Sequence, residues 1–399
     1  MRRILHISTR LILGGSQENT VLSCEGQAQA GHEVHLAFGP IYGPEGSMLE
    51  RVQAFGSITT HEVPGLVREL NPRSDWSAYC QCRELIREVQ PDIVHTHSSK
   101  AGIVARAAAW KENAALSSSD VSRRAGVVHT IHGLPFHPYE SWWRNRVYIM
   151  SERWAARRCH TIVTVADAMS RQALQAGVGK PDQFVTVYSG METQRFLEPD
   201  RDRAQMRREL GLAEDDFVIG TIARLAELKG HDDLLDALGR RMQGNHHLKL
   251  LWVGDGWWRD RLMARVESMG LTSQVVTPGL VPPEEVSRYI QAMDVLAHPS
   301  YREGLPRTVP QALLGGVPVV VYDLDGAPEV CIHEETGLLV PPGDRDALRE
   351  SVLRLFDDRD LGTRLAQQGR DLCRERFSAQ AMIDGLERVY EQALQQARG

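Results

Sequence analysis

Two cations, one carboxylate and a series of glycine turns are the residues whose types and spacing could do chemistry in this chain. Arg224 and Lys229 lie in Gly220-Thr221-Ile222-Ala223-Arg224-Leu225-Ala226-Glu227-Leu228-Lys229-Gly230, where an apolar run gives way to a loop. A planar guanidinium fork and a point-charge ammonium beyond a strand's carboxyl end suit a diphosphate. A solvated basic loop would carry the same residues. Glu303 stands alone in His298-Pro299-Ser300-Tyr301-Arg302-Glu303-Gly304-Leu305-Pro306, between a short strand and an apolar helix. Pro306 suits the first helical position, because it loses no needed N–H there. Glu303 is therefore expected on a tight strand-to-helix turn, which aims side chains and free amides into one space.

Further turns follow other apolar runs: Val253-Gly254-Asp255-Gly256, and Thr277-Pro278-Gly279-Leu280-Val281-Pro282. Near the N-terminus Gly14-Gly15 follows a strand and precedes a helix. Paired glycines let backbone approach a ligand and the helix behind them favours an anion, although a plain tight turn fits equally. His95, His97, His129, His132 and His137 are the notable polar residues of the first half, and His132 follows a strand in Thr130-Ile131-His132-Gly133. For any single one of them a hydrogen-bonded structural role is the simpler reading. No His pair at helical spacing with a carboxylate partner suggests a metal.

These residues need scaffolds, and the chain supplies them by alternation. Strands are expected at Arg3–Ser8, Val34–Phe38, Pro91–His97, Val127–Ile131 and Thr161–Val165, with a helix after the loop Leu13-Gly14-Gly15-Ser16 running toward Ala30 and another at residues 101–116. A second series places strands at 217–221, 248–253, 275–276, 295–296 and 317–322. Alternating strand and helix argues a doubly wound parallel sheet in each half. The polar stretch Glu198–Asp216 reads as the join, giving domains 1–197 and 198–378. The last helix, 379–397, carries Met382, Ile383, Leu386, Val389, Tyr390 and Leu394 on one face and is expected to pack.

Length and composition agree. The 399 residues exceed what one core usually serves. Hydrophobic residues make up 42% and charged residues 25%, ordinary for a globular protein, and the net charge of -6 gives no pull toward nucleic acid. The 6 cysteines are scattered, the closest pair being Cys80 and Cys82, so reduced thiols in a cytoplasmic protein are expected. The N-terminal apolar run is too short for a signal peptide, and no later run is long enough to span a membrane.

Taken in order, the motifs resemble a known family. Gly220 to Leu225 with Lys229-Gly230, then Trp252-Val253-Gly254-Asp255-Gly256, His298-Pro299-Ser300 with Glu303-Gly304-Leu305-Pro306, Gly316 to Val320 and Gly337 to Asp344 are similar to the retaining GT-B glycosyltransferases of family 4, also called group 1. Gly14-Gly15, His95-Thr96-His97, Ser99 to Gly102, His132-Gly133 and Tyr188 to Glu192 agree, each more weakly. The resemblance implies a GT-B fold: two Rossmann-like α/β domains facing each other across a cleft, with the last helix crossing back to the first. It implies transfer of a hexose or N-acetylhexosamine from a nucleotide-diphosphate sugar, UDP by family preference, to a glycan or lipid-linked acceptor.

By position, the resemblance has Arg224 and Lys229 holding the diphosphate and Glu303 binding sugar hydroxyls. His132 would stabilise the reacting centre. Gly14, Gly15, Gly254, Gly304, Leu305 and Pro306 would line phosphate and sugar, and backbone at Leu280 and Val281 would meet the base. Retention would follow front-face attack, a donor phosphate oxygen taking the acceptor's proton. No cofactor or metal is implied, since preorganised cations can stabilise the leaving group. One departure stands out: the family's second glutamate, eight positions on, is Gln311 here, preceded by Pro310. Gln311 can grip a diol without charge assistance, whereas Pro310 removes a helix amide, which is costly unless the first turn is irregular.

Residues 142–158 combine Trp142, Trp143 and Trp154 with arginines on one expected helix. Such a helix can lie on an anionic membrane, here the inner face, or pack against a sheet with its arginines in solvent. Two other functions share parts of the pattern: a sugar-nucleotide 2-epimerase, against which the ordered motifs argue, and a non-catalytic or partner-dependent nucleotide-sugar binding protein, favoured only by Gln311 and Pro310.

Overall fold

The apolar runs become parallel strands in a computed structural model that describes residues 1–41 and 46–399. The first series is β1 (Arg3–Ser8), β2 (Glu33–Phe38), β3 (Ile58–Glu62), β4 (Ile93–His97), β5 (Gly126–Ile131), β6 (Thr161–Thr164) and β7 (Phe184–Thr186). The second is β8 (Phe217–Ile222), β9 (Leu248–Val253), β10 (Val275–Gly279), β11 (Val295–His298), β12 (Val319–Tyr322) and β13 (Leu338–Val340). The sheets run β3-β2-β1-β4-β5-β6-β7 and β10-β9-β8-β11-β12-β13. Helices cover both faces, so central strands are buried throughout, as in β4 and β5.

Each sheet reverses its winding once, at β1/β4 in the first and at β8/β11 in the second. Open α/β sheets bind ligands at the carboxyl ends of such neighbours, where the loops splay apart. Gly14-Gly15 follows β1, Arg224 and Lys229 follow β8, and Glu303 follows β11.

The chain divides into two compact units, residues Met1–Met191 with Ala379–Gly399, and Glu192–Ser378. In the first, the helix Ala379–Arg398 lays Met382, Leu386, Val389, Tyr390 and Ala393 on Ile4, Ile93, Val128 and Val163. Gly26 permits the close approach of the neighbouring helix Gly15–Gln29, since a Cβ there would lie 1.9 Å from Ile383 Cδ1.

The second unit's core centres on Phe217, Leu234, Leu250, Trp252, Val295, Val320 and Leu348. The polar stretch read as a join is built into this unit. Arg203 and Arg207, from the helix Arg203–Glu209, both pair with Asp294 at 2.8 and 2.6 Å, and Arg207 also bonds four backbone carbonyls. Charge there serves as a clamp on the strand entering β11, not as a solvated linker.

Candidate functional site

Lys229 and Glu303 meet because β8 and β11 are neighbours. Lys229 Nζ lies 2.6 Å from Glu303 Oε1, and reaches Ser300 Oγ at 3.4 Å and the Arg302 carbonyl at 3.5 Å. His298 Nε2 adds a contact to the same carboxylate oxygen at 3.2 Å. The backbone forces the meeting. Leu228 takes a left-handed φ of 63° and Gly230 one of 74°, and Tyr301 N donates to the Leu228 carbonyl at 2.8 Å. A Cβ on Gly230 would lie 2.0 Å from the Pro299 carbonyl oxygen, so glycine is required at this close approach.

Burial of Glu303 opposes ionisation, yet the Lys229 ammonium and His298 outweigh it and hold the carboxyl well below the usual carboxylate range. The carboxylate is therefore ionised, with its side chain 18% exposed. Its backbone N–H is engaged by Asp325 Oδ2 at 2.8 Å, from a left-handed residue after β12, and Gly326 N donates to the Gly304 carbonyl at 3.1 Å. Tyr301 is anchored in turn: its hydroxyl donates to Asp233 at 2.5 Å, a buried carboxylate that also accepts from Tyr322 at 2.8 Å and Arg345 at 3.0 Å.

The helix after Glu303 differs from the sequence expectation. It runs Thr308–Leu314 with Arg307 at its cap, so Pro306 precedes the helix rather than opening it. Pro310 is then the third helical residue. First-turn amides have no intrahelical acceptor, so Pro310 loses no bond and the expected cost vanishes. Gln311 follows in the next turn, buried at 8% exposure.

Arg224 is exposed, its guanidinium carbon 5.6 Å from the exposed Trp257 ring. Its loop is laced to the next two. Leu225 N donates to the Asp255 carbonyl at 3.1 Å, Trp258 N to the Leu225 carbonyl at 3.0 Å, and Gly254 N to the Gly279 carbonyl at 2.9 Å. Gly254 has φ 134°, and a Cβ there would lie 2.2 Å from the Ala223 carbonyl oxygen. Leu280 follows with 67% exposure, beside the half-buried Val281. Arg224, Lys229, Gly254, Leu280, Val281, Glu303, Gly304, Leu305, Pro306 and Gln311 thus all belong to the second unit.

Gly14, Gly15 and His132 belong to the first. Gly14 caps the helix Gly15–Gln29, and Glu18 N donates to its carbonyl at 2.9 Å. His132, just beyond β5, meets His97 Nδ1 through Nε2 at 3.2 Å. His95, His97 and His129 are buried in β4 and β5. Sequence reading passed over His6, Gln27, Asp233 and Asp325. Only Asp325-Gly326, a turn dipeptide, carried a local signal; the others depend on strand order and register.

Comparison with known proteins identifies the family. Residues 13–195 match Glycosyltransferase Family 4 and residues 202–372 match Glycosyl transferases group 1. The capsular polysaccharide biosynthesis glycosyltransferase CapM of Staphylococcus aureus is 23% identical over 358 residues, 88% of this chain and 89% of CapM. An Escherichia coli UDP-Gal:alpha-D-GlcNAc-diphosphoundecaprenol alpha-1,3-galactosyltransferase is 25% identical over 341 residues, 84% of each chain. In fold, the chain superposes on Anabaena Alr3699/HepE in complex with UDP and glucose with a TM-score of 0.80, at 20% identity over 98% of this chain and 100% of that one. The chain belongs to the GT-B group 1 glycosyltransferases, enzymes that use nucleotide sugars.

Proposed function

We propose that this glycosyltransferase moves a hexose or N-acetylhexosamine from a UDP-sugar to a glycan or lipid-linked acceptor, with retention and without a metal. The observation that carries the donor side is the Lys229–Glu303 pair at the β8/β11 reversal, with Arg224 on the adjoining loop. Breaking a sugar–phosphate bond develops positive charge on the anomeric carbon and negative charge on the diphosphate. Lys229 and Arg224 supply fixed positive charge to the leaving group. Ionised Glu303 accepts hydrogen bonds from sugar hydroxyls. Amides of Gly304 and Leu305, and those at Gly14 and Gly15, meet phosphate or sugar, with Gly254 allowing close approach. Backbone at Leu280 and Val281 pairs with the base, and Gln311 holds the ribose diol. His132 acts at the reacting centre, and a donor phosphate oxygen takes the acceptor's proton during front-face attack. UDP is supported by the donor named for the Escherichia coli relative and by the UDP and glucose in the Anabaena complex.

The acceptor side rests on the helix Trp142–Ala156. Its solvent face carries Trp143, Val147, Met150 and Trp154, exposed by 53, 49, 66 and 43% and spaced to form one stripe. Arg144 and Arg158 stack on Trp143 and Trp154 at 5.2 and 3.9 Å. Among the described residues no helix is long and apolar enough to cross a membrane. An outward apolar stripe flanked by arginines suits peripheral contact with an anionic bilayer at its cytoplasmic face, where a lipid-linked acceptor would lie.

The test is turnover of a panel of UDP-, GDP- and ADP-sugars on lipid-linked and free glycan acceptors, with and without EDTA, the product anomer read by NMR. Retained configuration from a UDP-sugar in EDTA, lost in Glu303→Ala, is the expected result. Inverted product, or activity that needs an added divalent ion, would overturn it. Nucleotide-sugar binding without turnover would favour the partner-dependent reading.

A further inference from the structure

A continuous hydrogen-bond chain, buried up to its last link, reaches His132. His6 pairs with His95 across β1 and β4, and His97 lies two residues on, so all three occupy one sheet face. The helices Gly15–Gln29 and Ala379–Arg398 cover that face and contribute Gln27 and Tyr390. Gln27 Nε2 donates to the Tyr390 hydroxyl at 2.9 Å, and Gln27 Oε1 lies 2.7 Å from His6 Nε2. His6 Nδ1 lies 2.9 Å from His97 Nε2, and His97 Nδ1 lies 3.2 Å from His132 Nε2. On the other branch, the Tyr390 hydroxyl lies 2.7 Å from His95 Nδ1, and His95 Nε2 lies 2.7 Å from Thr130 Oγ1.

Burial keeps these imidazoles neutral. It lowers His6 to about 4 and holds His95 and His97 well below the usual histidine value. A neutral imidazole has one N–H and one lone pair, so each bond dictates the next. Gln27 Oε1 can only accept, so His6 carries its proton on Nε2 and accepts at Nδ1. His97 must then donate from Nε2 and accept at Nδ1. His132 must donate from Nε2. On the other branch Tyr390 accepts from Gln27 and donates to His95 Nδ1, and His95 Nε2 donates to Thr130. Every bond is satisfied with one polarity, and the Gln27 amide orientation sets it.

We propose that Gln27, His6 and His97 are positioning residues that fix His132 in the Nε2–H tautomer and leave Nδ1 as its basic nitrogen. The Gln27–Tyr390 bond ties this setting to the last helix of the chain. One ring nitrogen from each of His6, His95 and His97 lies within 4.8 Å of the others, a spacing that could also suit a metal ion. The protein-to-protein bonds above account for the ring nitrogens of all three. The link from tautomer to turnover rests on the proposed transferase function; the tautomer itself does not.

The test is a long-range proton–nitrogen correlation spectrum of the full chain labelled with nitrogen-15 histidine, at neutral pH. The expected spectrum shows His6, His97 and His132 each protonated at Nε2. Gln27→Leu should make the His132 tautomer mixed and lower kcat about tenfold with donor KM within about twofold, because a misoriented imidazole damages the chemical step rather than binding. A wild-type His132 protonated at Nδ1, or stoichiometric Zn²⁺ abolishing the Nε2–H signals without unfolding, would overturn the relay. So would a folded Gln27→Leu with unchanged tautomer and kcat. If that variant does not fold, the wild-type spectrum still decides the polarity. An Nε2–H spectrum in a protein that transfers no sugar would sink the transferase reading and leave the relay standing.

Discussion

Lys229 and Glu303 are 74 residues apart in sequence, and their charged atoms lie 2.6 Å apart at the point where the second sheet reverses its winding. The pair fixes two loops, and in the proposed transferase it would place a cation for phosphate beside a carboxylate for sugar. Removing either partner leaves the other partly desolvated. Lys229→Ala is expected to cost about 1–2 kcal/mol of stability, less than a fully buried pair because both side chains retain some solvent. It should lower kcat/KM about 10²- to 10³-fold. Chemical denaturation and steady-state kinetics on Lys229→Ala, Glu303→Gln and the double variant check this. Additive stability losses would show that the two side chains are not coupled.

Acid should dissolve the same contact in a defined direction. The folded carboxyl of Glu303 ionises below the usual carboxylate range, because Lys229 and His298 prevail over burial. An unfolded chain binds a proton there below about pH 4.3, and the folded chain does not until lower pH. The stabilisation is therefore complete above that value and declines as pH falls toward the folded pKa. Lys229→Met should lose less stability than wild type between about pH 5 and 3. Parallel declines would place the acid sensitivity elsewhere.

The buried histidines act at higher pH. His6, His95 and His97 are neutral in the folded state because burial lowers them. Each gains a proton on unfolding once pH drops below about 6.5. Their contribution is full above that pH and is lost as pH falls toward the folded values, each by about 1.4 kcal/mol per pH unit. His6→Gln should flatten the dependence of unfolding free energy on pH between about 6.5 and 4 by about one proton's worth. An unchanged slope would mean that His6 is charged, or already free to titrate, in the folded protein.

Gly230 tests whether loop geometry or charge places Lys229. Ala at position 230 would have to adopt φ near 74° and would bring Cβ to 2.0 Å from the Pro299 carbonyl. Gly230→Ala should cost about 1–3 kcal/mol and weaken UDP-sugar binding more than it weakens folding, because the backbone must move away from Ser300 and Glu303. A UDP titration by calorimetry with wild-type affinity would contradict that geometry.

Much of this was legible in sequence as pattern and little of it as contact. Apolar runs such as Phe217–Thr221 and Leu248–Val253 announced their strands, whereas β3, Ile-Thr-Thr-His-Glu, has one aliphatic residue and sits at a sheet edge. Alternation does not say which strand lies beside which. The Lys229–Glu303 meeting needs β8 next to β11, and the histidine chain needs His6 in register with His95. Pro306 read as the helix start, but the helix opens at Thr308 behind the cap at Arg307, and only the structure shows that Pro310 sits harmlessly in the first turn. Composition exposed the aromatic and basic character of residues 142–158, but not which face of that helix the protein leaves uncovered.

That uncovered face yields the last prediction. Glu152 is buried beneath the helix, paired to Arg106 at 2.8 Å, and Ala155 and Ala156 are buried beside it. The inward face is therefore occupied, while Trp143, Val147, Met150 and Trp154 stay largely exposed, with Arg144 and Arg158 stacked on the two indoles. Arginines 144, 146, 153 and 157 are exposed around the stripe. Partial insertion of the aromatic rings would bury apolar area, while each arginine near an anionic surface would add about 1 kcal/mol that salt screens. Sedimentation with phosphatidylglycerol-containing liposomes at low salt should carry the wild-type protein down. A variant with Trp143→Ser and Trp154→Ser should lose most of this binding at every salt concentration, and one with Arg144→Glu and Arg157→Glu should lose it in proportion to the charge reversed. Equal partitioning of all three proteins would remove the bilayer from the account and leave the stripe as a docking face for the acceptor glycan itself.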